Sequence, residues 1–294
     1  MTAKIIDGKA IAQKIRENLK DAIQRRLSQG QSAPGLAVIL VGDDPASQIY
    51  VRNKREACSE CGIKSVAYDL PQDIPEEKLL SLITQLNSDA SIHGILIQLP
   101  LPNHIRTPLI LDSIDPKKDV DGFHPTNLGL LAQGRSYLRP CTPYGVMRLL
   151  EHEKIMLCGL NAVVIGTSNI VGKPMALELV NAKCTVTLCH KETRDLKQAI
   201  KQADLLVSAI GKAGVINSEW IKPGAIVIDI GITRSPNGKL HGDIEFETAK
   251  QSAAYITPVP GGVGPMTVAM LLSNTLFAAK HMPLYCAQYK ISRH

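Results

Sequence analysis

The sequence predicts an α/β protein of two domains, each organised around a parallel sheet. Three observations carry that expectation. Short apolar runs alternate with stretches of helical spacing in both halves of the chain, the pattern of βα units and a parallel sheet. The runs are continuous rather than alternating with polar residues, as strands buried on both faces are. Residues 103–140 break the alternation, and 294 residues suit two cores better than one. The expected division is 1–140 and 141–265, with a last helix over about 266–294 returning to the first domain.

From Asp7 to about Gln29, Ala10, Ile11, Ile15, Leu19, Ile23 and Leu27 recur at helical spacing, and Gly30 stops the helix. Leu36–Val41 reads as a buried strand. A turn follows at Gly42-Asp43-Asp44-Pro45, and Ser47 is the expected cap of a helix ending near Gly62. Tyr50 and Lys54 are four residues apart and share one face of that helix. They lie just beyond a strand, where open α/β sheets bind ligands; the plainer alternative is an exposed helix with a solvated lysine. Ser65–Leu70 is a second strand, Pro75–Asn87 a helix, and Ile95–Leu99 a third strand halted by Pro100 and Pro102. Gln98 sits near the end of that strand, placed either to meet Lys54 or to face solvent, since a buried amide needs a partner. Residues 103–140 read as irregular. Within them Lys118-Asp119-Val120-Asp121-Gly122-Phe123 holds either a simple Asp-Gly turn or, at Asp121, a carboxylate facing a ligand's N–H groups.

Pro143 to about Lys154 reads as a helix placed to bridge the domains. The second alternation then sets strands at Ala162–Ile165, Thr185–Cys189, Leu205–Ala209 and Ala225–Ile230, and helices at Val171–Ala182 and Arg194–Gln202. Strand, glycine turn and helix meet at Gly166-Thr167-Ser168-Asn169-Ile170-Val171-Gly172. This departs from the dinucleotide fingerprint: Ser168 replaces the second glycine and the loop is one residue longer. The physical logic is kept, with Gly166 for the tight turn and helix amides facing an anion, although an ordinary βα turn has the same outline. After the next strand, Cys189-His190-Lys191 offers no carboxylate for a ribose hydroxyl. Lys191 there suits a 2′-phosphate, hence NADP, unless it is only a solvated loop residue. Pro258–Pro265 reads as a rigid loop before a helix over Met266 to about Lys280.

Composition narrows the function classes. The net charge of +6 suits an anionic small molecule, but the basic residues are scattered and aromatic content is 4%, which argues against a nucleic-acid partner. No apolar stretch reaches membrane-spanning length and the first residues lack a signal-peptide core, so no membrane association is expected. Seven irregularly spaced cysteines point to a reducing, cytoplasmic setting. Cys58 and Cys61 form a lone C-x-x-C near a helix C-terminus and read as packing residues, and the eight histidines form no metal-ligand pattern.

Taken together, Tyr50-Val51-Arg52-Asn53-Lys54, Gly94–Pro102, Lys118–Phe123, Gly166–Pro174 and Pro258–Thr267 resemble the bifunctional methylenetetrahydrofolate dehydrogenase/methenyltetrahydrofolate cyclohydrolase family, in that family's order and over nearly the whole chain. The resemblance implies an N-terminal α/β catalytic domain, a C-terminal Rossmann-type NADP-binding domain, a folate cleft between them, and a homodimer. It implies oxidation of 5,10-methylene-tetrahydrofolate with NADP, then hydrolysis to 10-formyl-tetrahydrofolate, supplying purine, histidine and methionine synthesis. By position it makes Lys54 the acid/base and Gln98 its partner; Tyr50 packs on the folate and Asp121 anchors the pterin. Gly166, Thr167, Ser168 and Ile232 would contact NADP with Lys191, and Pro260 and Gly261 would line the substrate site. A non-catalytic NADP-binding regulator explains the second half of the chain but leaves Tyr50, Lys54, Gln98 and Asp121 idle.

Overall fold

A computed structural model describes residues 2–235 and 238–288, with side chains through residue 281. The chain opens with a two-residue strand, β1 (Lys4–Ile5), then runs through α1 (Gly8–Ser28), β2 (Gly35–Val41), α2 (Pro45–Cys61), β3 (Lys64–Leu70), α3 (Glu76–Ser88) and β4 (Gly94–Ile97). Two short helices follow, α4 (Thr107–Asp112) and α5 (Pro125–Ala132), then α6 (Cys141–His152). The alternation resumes with β5 (Asn161–Ile165), α7 (Gly172–Asn181), β6 (Thr185–Cys189), α8 (Leu196–Gln202), β7 (Leu205–Ser208) and β8 (Ile226–Asp229). An antiparallel ribbon of β9 (Thr233–Arg234) and β10 (Leu240–His241) precedes α9 (Phe246–Ala249), β11 (Tyr255–Ile256) and α10 (Val263–Gln288). The last residues of the helix expected over 266–294, from 289 on, lie outside the described residues.

The chain divides into two compact units, each with its own parallel sheet. One takes Lys14–Leu130, Ser136–Arg139 and the described residues from Leu271 to Gln288. Its three-stranded sheet has the order β3-β2-β4, with Leu36 beside Ser65 on one side and Gly94 on the other. All seven residues of β2 are buried, which is why the strand reads as an unbroken apolar run. Ile39, Ile83, Ile95 and Ile110 anchor the core on one face. Each such side chain contributes about 1.5–3 kcal/mol on burial.

The other unit takes the chain up to Gln13, then Leu131–Arg135 and Pro140–Met270. Its six strands are all parallel, in the order β1-β11-β8-β7-β5-β6. Val163, Leu206, Val227 and Ile256 form one buried cluster with Ala3. The first strand thus belongs to this sheet rather than to the expected domain 1–140, because Lys4 and Ile5 pair with Tyr255 and Ile256. Helix α6, expected as a bridge, lies wholly in this unit.

Several boundaries move for identifiable reasons. Ser47 is not the cap of α2: Asp44 is, its Oδ2 accepting from Ser47 N at 2.8 Å, with Pro45 in the first turn. Ser47 is buried inside that turn. Residues 103–140 are not wholly irregular, since α4 and α5 form there, each with a proline in its first turn. Helix α10 starts at Val263 rather than Met266, and Pro265 falls in the first turn, where a missing N–H costs no helical hydrogen bond. The rigid loop expected through Pro265 therefore ends at Gly262.

Candidate active site

In the three-stranded unit, the βα turn after β2 and the chain after β4 leave the sheet at its carboxyl end. Lys54 sits mid-way along α2, half-buried, and Nζ donates to Gln98 Oε1 at 3.2 Å. Gln98 lies one residue past β4, not within it, but its N–H still donates to Ile39 O at 2.9 Å, so the backbone remains tied to the sheet. Its own Nε2 donates to Leu99 O at 2.7 Å, which turns the amide oxygen toward Lys54. Of the two placements open to Gln98, meeting Lys54 is the one observed. Tyr50 lies one turn before Lys54 on the same face and is 39% exposed, so its ring is open to a ligand.

The two carboxylates of the Lys118–Phe123 segment have opposite environments. Asp119 is buried and fully engaged, accepting from Phe123 N at 3.2 Å, His124 N at 2.8 Å and Asn127 Nδ2 at 2.8 Å. Burial pushes its carboxyl up, and those hydrogen bonds oppose the shift. Lys118 is also buried, and Nζ donates to Leu86 O and Asp89 O at the end of α3, a favourable place for a cation. Asn274 of α10 donates to Val120 O at 2.8 Å. These contacts fix the backbone on both sides of Asp121.

Asp121 itself is half-buried, and among the described residues no hydrogen bond contributes to its charge balance. Burial pushes its carboxyl up to about 6; the Lys54 charge pulls against that shift and Asp119 adds to it. Lys54, Gln98 and Asp121 are therefore one electrostatic group, with Tyr50 one turn before Lys54 on the same helical face. An amine held by an amide beside an unpaired carboxylate is equipped to move protons and to bind a ligand bearing N–H groups. Sequence reading overlooked Lys118, Asp119 and Asn127 as supports, because within the charged run Asp115–Asp121 nothing marks Lys118 and Asp119 as the buried pair.

In the six-stranded unit, Gly166 follows β5 directly. Its φ is +115°, and a Cβ on it would lie 2.3 Å from Ala209 O. A Cβ on Gly172 would lie 1.9 Å from Gly166 O, so the first turn of α7 closes onto the glycine turn. This is a cradle that only glycines allow, at the carboxyl end of a central strand. The helix amides are arranged differently from the expectation. Ser168 Oγ accepts from Val171 N at 3.2 Å and from Gly172 N at 3.3 Å, and Lys173 N donates to Ser168 O at 3.0 Å. Those amides are already satisfied within the loop. What faces outward is the exposed Ser168 hydroxyl, whose proton is left to donate because its oxygen accepts twice. Thr167, half-buried, stands beside it.

Lys191 follows β6, the neighbour of β5, and is exposed; its Nζ is 3.7 Å from Glu192 Oε1. Cys189 O accepts from Gly166 N at 2.9 Å, which ties the end of β6 to the glycine turn. Ile232 follows β8 and is 41% exposed. Pro260 and Gly261 precede α10, and Gly261 O accepts from Lys9 N at 3.0 Å. Gly166, Thr167, Ser168, Lys191 and Ile232 thus all lie at the carboxyl ends of one parallel sheet, and the glycine cradle and outward hydroxyl fit a dinucleotide's phosphates. Cys58 and Cys61 are buried in α2, and burial pushes the Cys58 thiol up to about 12, as for an unreactive packing residue. Among the described residues, no helix is long and apolar enough to cross a membrane.

The chain matches two models of known families. The tetrahydrofolate dehydrogenase/cyclohydrolase catalytic domain matches residues 6–121, and the NAD(P)-binding domain of the same family matches residues 140–282. Solved structures agree. The bifunctional methylenetetrahydrofolate dehydrogenase/cyclohydrolase of Campylobacter jejuni is 54% identical, with a TM-score of 0.93, over 95% of this chain and 99% of that one. The methylenetetrahydrofolate dehydrogenase-cyclohydrolase of Trypanosoma brucei, solved with NADP cofactor and an inhibitor, is 40% identical with a TM-score of 0.92, over 96% and 99%. The methylenetetrahydrofolate dehydrogenase of the silkworm Bombyx mori is 42% identical with a TM-score of 0.91, over 96% and 99%. Identity at this level across almost the full length of each chain means that the protein belongs to the tetrahydrofolate dehydrogenase/cyclohydrolase family.

Proposed function

We propose that the protein oxidises 5,10-methylene-tetrahydrofolate to the 5,10-methenyl cation with NADP and hydrolyses that cation to 10-formyl-tetrahydrofolate. The observation that carries the proposal is the hydrogen bond from Lys54 Nζ to Gln98 Oε1 beside the Asp121 carboxylate, on which the Lys54 charge also acts. A regulator that only bound NADP has no use for that group. NADP, when bound, accepts the hydride.

The chain's own residues do the rest. Asp121 accepts from the pterin's amino and ring N–H groups, and Tyr50 packs on the folate, so that the methylene carbon is held in one place. Loss of hydride leaves a cation shared by two nitrogens. Water adds to that carbon and gives one proton to Lys54; as the resulting carbinol collapses to the formyl C=O, its hydroxyl proton leaves to solvent and Lys54 returns the first proton to the ring nitrogen whose bond to carbon breaks. Gln98 holds the amine in position for both transfers. Gly166, Thr167, Ser168 and Ile232 hold the dinucleotide, Lys191 takes its 2′-phosphate, and Pro260 and Gly261 line the substrate site. The enzyme acts as a homodimer in the cytoplasm, a part of the proposal that light scattering and cell fractionation test directly.

The test of the activity is to mix the protein with 5,10-methylene-tetrahydrofolate and NADP. The expected result is accumulation of NADPH and of 10-formyl-tetrahydrofolate. NADP that stays oxidised, with a folded protein, overturns the proposal in favour of a binding role.

A further inference from the structure

Two buried carboxylates of the six-stranded unit have no part in the chemistry above. Asp229 ends β8 and is 4% exposed, and Asp243, just past β10, is fully buried. Asp243 Oδ2 accepts from Ser208 Oγ at 2.7 Å and Ile210 N at 2.8 Å, and its Oδ1 accepts from Lys212 N at 2.9 Å. Asp229 Oδ1 accepts from Gly231 N at 3.0 Å and Asp243 N at 3.1 Å, and its Oδ2 from Ile244 N at 2.9 Å. Glycines let the chains close on both. A Cβ on Gly231 would lie 1.9 Å from Asp243 Oδ1, and one on Gly242 would lie 2.1 Å from Asp229 Oδ2.

The two carboxylates therefore tie three segments into one block: 208–212 after β7, 229–231 after β8, and 242–244 after the ribbon. The block reaches the glycine turn. Asp243 grips the residues on either side of Ala209, and Ala209 O is the atom that leaves no room for a Cβ on Gly166. The same block carries Ile232, one residue beyond Gly231. Burial pushes the Asp229 carboxyl up to about 7 despite its three N–H donors.

We infer that Asp243, seconded by Asp229, is a positioning residue for the dinucleotide: it sets the wall against which the Gly166 turn packs and the segment that presents Ile232. The inference rests on the NADP-dependent reading of this unit. Every partner of the Asp243 carboxylate is a donor. In Asp243→Asn the amide oxygen can keep the Ser208 and Ile210 bonds, but its NH₂ then faces the Lys212 N–H, and the 208–212 segment loosens.

The experiment measures NADP affinity by calorimetry, dehydrogenase KM and kcat, and cyclohydrolase rate on supplied methenyl-tetrahydrofolate, which needs no NADP. For Asp243→Asn the expected result is a rise of about tenfold in NADP Kd and KM, the loss of one charge-assisted hydrogen bond. Cyclohydrolase rate should stay within about twofold of the parent, because the altered hydrogen bonds lie in the dinucleotide unit. If the variant does not fold, Ser208→Ala removes only one bond, and its NADP KM should rise about threefold. Parent-like NADP affinity in folded Asp243→Asn, or in Ser208→Ala where that is the variant used, overturns the inference. So does a parallel fall of both activities that tracks the melting temperature, the mark of a merely structural role. A parent enzyme that fails to reduce NADP takes down the functional reading and the inference together; an active parent with an unaffected variant takes down the inference alone.

Discussion

Replacing Asp121 with Asn should make the protein more stable and a worse folate binder at the same time. In the fold, burial moves this carboxyl from its ordinary 3.8 to about 6. That change costs the ionised form about 3 kcal/mol. The sign follows from linkage. Below 3.8 both the folded and unfolded chains hold the proton, and the group costs nothing. As pH rises from about 4 to about 6 the unfolded chain releases its proton first, so stability falls, and above about 6 the full cost of about 3 kcal/mol persists. The Lys54 attraction is already contained in that figure, and no hydrogen bond to Asp121 is lost on substitution. Asp121→Asn should therefore remove this pH dependence and gain stability at neutral pH, up to about 3 kcal/mol. Binding moves the opposite way. The amide keeps one acceptor and turns the other into a donor facing the pterin's N–H groups. Loss of a charge-assisted hydrogen bond, about 1.5–3 kcal/mol, predicts a 10- to 100-fold weaker folate affinity. In the parent, folate affinity should likewise fall as pH drops through about 6, where Asp121 takes up its proton. The assays are denaturant unfolding across that pH range and calorimetry with folate substrate, for parent and variant. A folded variant with parent affinity reduces Asp121 to a turn residue. One that is less stable than the parent at neutral pH contradicts the assignment of a burial cost.

The remaining predictions concern the dinucleotide side. Lys191→Ala should raise KM for NADP by about tenfold while leaving use of NAD nearly unchanged, since the lost contact to phosphate is charge-assisted; equal catalytic efficiency of the parent with NAD and NADP contradicts it. Gly172→Ala forces a methyl to 1.9 Å from Gly166 O, so the turn must open. It should weaken NADP binding by more than about tenfold and cost about 1–3 kcal/mol of stability by overpacking. A variant that binds NADP normally in calorimetry shows that the cradle does not hold the phosphates.

What the sequence disclosed and what it withheld divide along physical lines. The long buried strands were legible because a parallel strand covered on both faces is an unbroken apolar run, as in β2, β5 and β7. Strand β1 was not, because two residues form a strand only through a partner some 250 positions away. Helices α4 and α5 are six and eight residues long, too short for periodicity to rise above the surrounding turns. Their first-turn prolines were the available signal. Asp44-Pro45 was likewise a cap followed by proline, and a following serine drew attention from it. At the site, Tyr50 and Lys54 were legible because helical spacing alone puts them on one face. The meeting of Lys54 with Gln98 needed the pairing of β4 with β2, a fact of tertiary structure. That Asp119 is tied down while Asp121 is not cannot be read from a segment holding both residues two positions apart. Ser168 shows the reverse case: a motif read correctly in outline satisfied its helix amides internally, because a hydroxyl reached them before any ligand. Asp229 and Asp243 went unremarked although Asp229 interrupts an apolar run, the one place where a carboxylate asks for an explanation.

The most direct test of the central claim is the cyclohydrolase rate of Lys54→Met on supplied methenyl-tetrahydrofolate, corrected for spontaneous hydrolysis. Methionine keeps most of the lysine stem's volume and removes only the proton-carrying amine. Gln98 is half-buried, so its released oxygen can turn to water and the fold should persist, as circular dichroism will report. Loss of general acid–base catalysis predicts a 10²- to 10⁴-fold drop, roughly, in hydrolysis. Dehydrogenase activity should fall less, because hydride transfer needs alignment more than proton transfer, and methenyl-tetrahydrofolate should then accumulate in the coupled reaction. A folded Lys54→Met protein that hydrolyses the methenyl substrate at the parent rate would contradict the account and leave Lys54 an ordinary lysine on a helix face.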